Sequence, residues 1–93
     1  MLRSGSDRQG AAIQEILNNV GLRSTRQRIA LASLLLRTAN RRVTAEILYE
    51  EAHERRCPVS RASVCRALRR FERAGLLRRI SVHQSKKTWF VIA

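Results

Sequence analysis

The chain has 93 residues and a formal net charge of +12, with 19 Lys and Arg residues against seven Asp and Glu. That length supports one modest core, not two. The longest largely apolar run, Ile29–Leu36, falls far short of the roughly 20 residues that cross a bilayer, and the opening MLRSGSDRQG lacks the apolar stretch of a signal peptide. The expectation is a cytoplasmic, nucleoid-associated protein whose cysteines, Cys57 and Cys65, are reduced thiols.

Residues 1–10 are small and polar and read as a flexible N-terminal arm, with a single folded domain over 11–93. The first helix is expected over about 11–20, with Ile13, Ile16, Leu17 and Val20 on one face and Gly21 at the left-handed C-cap. Ser24 or Thr25 can cap a second helix over about 25–38. That helix is apolar nearly all round beyond Ile29, which predicts the most buried element. Asn40–Val43 is a connector with room for a small strand. Thr44 caps a third helix over about 44–55, its Glu46 well placed for the helix dipole, with Ala45, Leu48, Tyr49 and Ala52 inward and Glu46, Glu50 and Glu54 outward. Pro58 blocks continuation, Ser60 caps a fourth helix over about 60–74, and Gly75 ends it. Strands at about 76–82 and 88–92 flank a polar turn, His83–Lys87, and make a β-hairpin.

The fourth helix carries the strongest signal. Val64, Leu68, Phe71 and Gly75 recur on one side, while Ala62, Arg66, Arg69 and Arg73 fall on the other. From Arg55 to Arg79 there are nine arginines and one acid, Glu72. A face of one sign repels itself unless a polyanion meets it, and the obvious polyanion is nucleic acid. Seventeen of the basic residues are Arg, whose planar fork of donors matches phosphate oxygens and the guanine edge.

Four helices and a basic-tipped hairpin describe a mainly α winged helix-turn-helix, with the hairpin as the wing. In that arrangement the fourth helix enters the major groove of double-stranded DNA and its N-terminal half reaches base edges. Ser60, Arg61, Ser63, Cys65 and Arg66 are the candidate readers. Arg69, Arg70 and Arg73, with Lys86 and Lys87 on the wing tip, are candidate phosphate contacts.

Several stretches resemble the DNA-binding half of the ferric uptake regulator family, most closely its iron-response-regulator branch. GLRSTRQRIAL at Gly21–Leu31 is similar to the family's opening of the second helix, and VTAEILYEEA at Val43–Ala52 to its T-A-E-x-L-Y element. VSRASVCRAL at Val59–Leu68 resembles its V-S-x-A-T-V-Y-R-T-L recognition helix; AGLLRRI and KTWF resemble its wing. The resemblance covers about Ile13 to Phe90. It implies a dimeric, metal- or haem-responsive bacterial transcription factor, and adds Arg23 and Arg28 to the DNA-contacting residues beside Ser60, Arg61 and Arg66. Three departures stand out. The family's C-terminal domain for dimerisation and metal binding has no counterpart before Ala93; Arg42 stands where many members place a metal-ligand histidine; and Cys65 replaces a base-contacting tyrosine. The target sequence is therefore expected to differ from the family's usual box.

Other chemistries fit less well. Cys57 and Cys65 have only His53 and His83 to complete a zinc set, with no CxxC pair, so no metal is expected. Cys65, beside Arg61, Arg66 and Arg69, reads either as a redox thiol or as a small filler; Cys57-Pro58 has the form of a haem-regulatory pair, although Pro58 also serves as the turn residue before Ser60. No cofactor is expected. The Glu46, Glu50, Glu54 and His53 row reads as a solvated face. The chain contains no nucleophile triad, Gly-rich phosphate loop or inward carboxylate pair, so it does not read as an enzyme. The competing readings are a protein-interaction module, pairing as a homodimer or with another regulator through Ile13, Ile16, Leu17 and Val20, and a non-specific nucleic-acid-binding protein.

Overall fold

The computed structural model describes residues 4–37 and 41–93. In chain order the elements are α1 (Ser4–Asn19), α2 (Arg26–Leu35), β1 (Arg42–Val43), α3 (Ala45–Glu54), α4 (Arg61–Arg73), β2 (Leu77–Ile80) and β3 (Trp89–Ile92). The strands form one antiparallel sheet in the order β1-β3-β2, with Val43 opposite Phe90 and Arg79 opposite Phe90 on the other side. The fold is a winged helix-turn-helix: four helices and a three-stranded wing. Among the described residues no helix is long and apolar enough to cross a membrane.

Local chemistry sets most boundaries. Thr25, Thr44 and Ser60 sit in extended conformation and accept from the backbone N–H three residues on, capping α2, α3 and α4. Thr25, not Ser24, is therefore the α2 cap. At the other ends, Gly21 (φ 81°) and Gly75 (φ 86°) adopt the left-handed conformation. Leu22 N–H then closes on the Leu17 carbonyl and Leu76 N–H on the Phe71 carbonyl, both at 2.9 Å. That is the Schellman arrangement, which satisfies the last carbonyls of α1 and α4. α3 ends the same way without a glycine: Cys57 N–H reaches the Ala52 carbonyl at 2.8 Å, and Arg56 takes the strained position at φ 57°.

The structure differs from the expectations at the first helix and in the wing. The arm expected over 1–10 is helical from Ser4 onward, while residues 1–3 lie outside the described residues. The stretch lacks proline, and once 11–19 has nucleated the helix can propagate through it, with Gly5 and Gly10 costing about 1 kcal/mol each against alanine. The first helix also does not present its whole apolar stripe to a partner: Ile13 and Leu17 are buried in the core, Val20 is half-buried, and Ile16 alone is 37% exposed. The helices and wing already cover that stripe. The strands are shorter than expected, because the chain leaves the ladder at Ser81 and returns at Trp89. In that turn Gln84 has φ 64°, and the Ser85 hydroxyl accepts from the Trp89 indole N–H at 2.9 Å. The expected end of α2 near Thr38 lies outside the described residues; α2 closes at Leu35 with Leu36 as its C-cap.

The core joins all layers. Leu17, Leu31, Val43, Leu48, Val64, Leu68 and Phe71 are fully buried. α4 contributes Val64, Leu68 and Phe71 as its period predicts, together with Ala67. Burying that stripe forces the opposite, arginine-bearing face outward. The Arg41 guanidinium bridges the Glu51 carboxylate on α3 and the Leu34 carbonyl on α2, tying the entry of β1 to the helices.

Candidate nucleic-acid interface

α4 presents its outer face by construction. Pro58 and the Ser60 cap start the helix, and the apolar stripe seats it, so Arg61, Ala62, Cys65, Arg66, Arg69, Arg70 and Arg73 are all exposed. Ser60 and Ser63 are partly occupied by the helix itself. Ser60 Oγ accepts from the Ser63 N–H and donates to Ser63 Oγ, both at 3.1 Å, and Ser63 Oγ accepts from Arg66 Nη2 at 3.4 Å.

Two grooves flank the helix. One, of about 220 Å³, separates it from the start of α2 and brings together Thr25, Gln27, Arg28, Ser63, Arg66 and Arg70. Three guanidinium groups from two helices converge there with no acid in the lining. Arg28 Nη1 donates to the Arg23 carbonyl at 3.0 Å, which shapes the segment leading into α2 and leaves the exposed Arg23 side chain beside it. Gln27 Nε2 reaches the Pro58 carbonyl at 3.4 Å and couples α2 to the α4 entry. The second groove, of about 300 Å³, lies between α4 and the wing and is lined by Cys65, Arg69, Arg79, Lys87, Thr88 and Glu46 among others. Lys86 is exposed on the turn and lines neither groove. Arg70 and Arg73 border a further hollow against Val20 and Leu22.

Acids on this side are occupied or marginal. Glu72 accepts from Arg79 Nη2 at 2.9 Å, and Arg79 also lies over the Phe90 ring, 5.7 Å from its centroid. Glu46 is 4.0 Å from Lys87 Nζ, with both side chains more than half exposed, so that contact is weak. Arg79 and Gln27 are absent from the sequence-based site. Arg79 comes within reach of the groove only when the hairpin folds back on α4: it lies on β2, beyond the Gly75 end of the helix, so the helical period of α4 does not carry through to it. The two thiols occupy different settings: Cys57 is half-buried against the core, and Cys65 is exposed on α4. Among the described residues no three His, Cys, Asp or Glu side chains gather where they could hold a metal ion. Arg42, at the position where the resemblance places a ligand histidine, is an exposed strand residue opposite Val91.

Residues 19–93 match the ferric uptake regulator family. Among solved structures, the ferric uptake regulator of Pseudomonas aeruginosa, described with manganese, is similar with a TM-score of 0.79 and 30% identity, over 86% of this chain and 59% of that one. The Vibrio cholerae ferric uptake regulator, whose structure concerns rearrangement of its DNA-binding domains, gives 0.78 and 25%, over 86% and 60%. The peroxide-sensing regulator PerR of Streptococcus pyogenes gives 0.74 at 18% identity, over 90% and 56%, and shares the fold. No curated protein matches the chain. The chain spans about 60% of the length of the first two solved relatives. With three quarters or more of its residues inside the family match and its helices and wing superposing on those regulators, the chain belongs to the ferric uptake regulator family.

Proposed function

We propose that the chain is a sequence-specific double-stranded DNA-binding transcriptional regulator and not an enzyme, acting in the cytoplasm by occlusion or recruitment at a promoter. The observation that carries this reading is α4 itself: an exposed arginine face flanked by two basic grooves, with its one acid engaged by Arg79. In this reading Arg61, Cys65 and Arg66 reach base edges. Ser60 acts chiefly as the cap that aims them, and Ser63 as the group that steadies Arg66. Arg23, Arg28, Arg69, Arg70, Arg73, Lys86 and Lys87 meet phosphates, with Arg28 and Arg70 holding the backbone on one side of α4 and the wing lysines on the other. The resemblance of Gly21–Leu31, Val43–Ala52 and Val59–Leu68 to the family's motifs supports placing the chain near its iron-response-regulator branch.

The test is a fluorescence-anisotropy titration of a labelled duplex across salt concentrations. Five to eight phosphate contacts predict a slope of log K against log salt of about −0.9 per contact. A flat dependence overturns the reading. A homodimer is a second element of the proposal, favoured by Ile16 and Leu36, the two exposed large hydrophobics among the described residues, which line one apolar hollow with Leu35, Leu76 and Ile92. Light scattering after size exclusion tests it: a mass twice that of the chain supports pairing, and Ile16→Asp should then restore the monomer.

A further inference from the structure

Arg61 is the first residue of α4, exposed at the end of the helix that the proposed function places against base edges. A free arginine there would sample many rotamers and lose that freedom on binding. It is not free. Its guanidinium carbon lies 5.1 Å from the centroid of the Tyr49 ring on α3. Tyr49 is half-buried against the core and is backed one turn later on α3 by His53, whose ring stacks on it with centroids 6.2 Å apart and planes at 23°. The Tyr49 hydroxyl makes no hydrogen bond among the described residues, so what the side chain offers Arg61 is its face.

The way the arginines are held differs around the interface. Arg41 and Arg79 are held by carboxylates, which occupy donors and offset charge. Among the described residues no carboxylate lies within ion-pair distance of Arg61. An aromatic face orders a guanidinium through its quadrupole while leaving the N–H fork and the full charge available for a ligand. Resting on the base-reading role proposed for Arg61, we infer that Tyr49 is a positioning residue that presents the Arg61 fork to DNA. Tyr49 makes no DNA contact in this arrangement. It reduces the ordering that binding must impose on Arg61, and it does so from a neighbouring helix.

The experiment is a double-mutant cycle on the full chain, by anisotropy, using a duplex selected by the protein from a random DNA pool and a random-sequence duplex as reference. Tyr49→Leu keeps an apolar side chain against the core but removes the π face. It should weaken the selected duplex about 2- to 5-fold, the range of an exposed cation–π contact, with the random duplex and the salt slope unchanged because no charge is lost. Tyr49→Phe should bind like the parent. In an Arg61→Ala background Tyr49→Leu should add no further loss, and because the cycle cancels any general destabilisation, that result separates positioning from folding. Equal Tyr49→Leu losses with and without Arg61, or no loss at all, overturn the inference while leaving the base-reading role of Arg61 intact. If Arg61→Ala leaves the selected duplex as tightly bound as before, the base-reading role fails and the inference falls with it.

Discussion

Glu72 is the single acid between Arg55 and Arg79, and its removal gives a sharp expectation. Its carboxylate holds Arg79 at 2.9 Å, on the wall of the groove between α4 and the wing. Glu72→Gln raises the net charge from +12 to +13 and releases Arg79 toward the DNA backbone. The Arg79 side chain is 54% exposed and Glu72 30% exposed, so the lost pair contributes at most a few tenths of a kcal/mol to stability. Glu72 also lies in the last turn of α4, where a negative charge opposes the helix dipole and its removal returns a similar amount. The melting temperature should therefore hardly move. Binding should move: one additional phosphate contact steepens the salt slope by about 0.9, equivalent to about 3.5-fold greater sensitivity between 50 and 200 mM salt. Anisotropy titrations at four salt concentrations measure this directly. Glu72→Gln together with Arg79→Ala should return the slope to the parent value. An unchanged slope and affinity in Glu72→Gln would refute the placement of Arg79 on the DNA path.

Other expectations follow from the same geometry. Arg66→Ala should cost about 1–3 kcal/mol on a selected duplex and little on random DNA, whereas Lys87→Ala should weaken both alike and reduce the salt slope by about 1; competition titrations separate the two. Ser60→Ala removes the α4 cap and should cost about 1 kcal/mol, lowering the melting temperature by about 4–8 °C for a domain of this size. Arg56→Gly should stabilise by up to about 1 kcal/mol, because a non-glycine residue at φ 57° is strained where glycine is not; the same melting curve reads it as a rise.

What the sequence makes legible is what local chemistry encodes. The caps at Thr44 and Ser60, the left-handed glycines at 21 and 75, and the inner stripe Val64, Leu68 and Phe71 depend on neighbours within a turn or two, and each appears where its pattern puts it. The Arg56 end of α3 is hidden because its usual marker, a glycine, is absent. Ser4–Gly10 has the composition of an arm but no residue that stops a helix already under way. Ile13 and Leu17 form a clear apolar stripe, yet a stripe does not say whether the same chain or another one covers it; here it is the same chain. Of the candidate interface, the α4 arginines are legible from charge and period. The contributions that depend on tertiary approach are not: Arg28 enters through the family resemblance alone, and its facing Arg66 and Arg70 across the α2–α4 groove, Arg79 folded back on Glu72, and Tyr49 beneath Arg61 carry no signal in charge or period.

Sequence-specific reading of duplex DNA by α4 is tested by selecting bound sequences from a random duplex pool and titrating the selected and unselected duplexes at matched salt. The expected result is enrichment of a defined site and at least about a 10³-fold preference for it, reduced by Arg66→Ala. Equal affinity for every sequence, with a steep salt dependence, would contradict it and leave a non-specific nucleic-acid-binding protein.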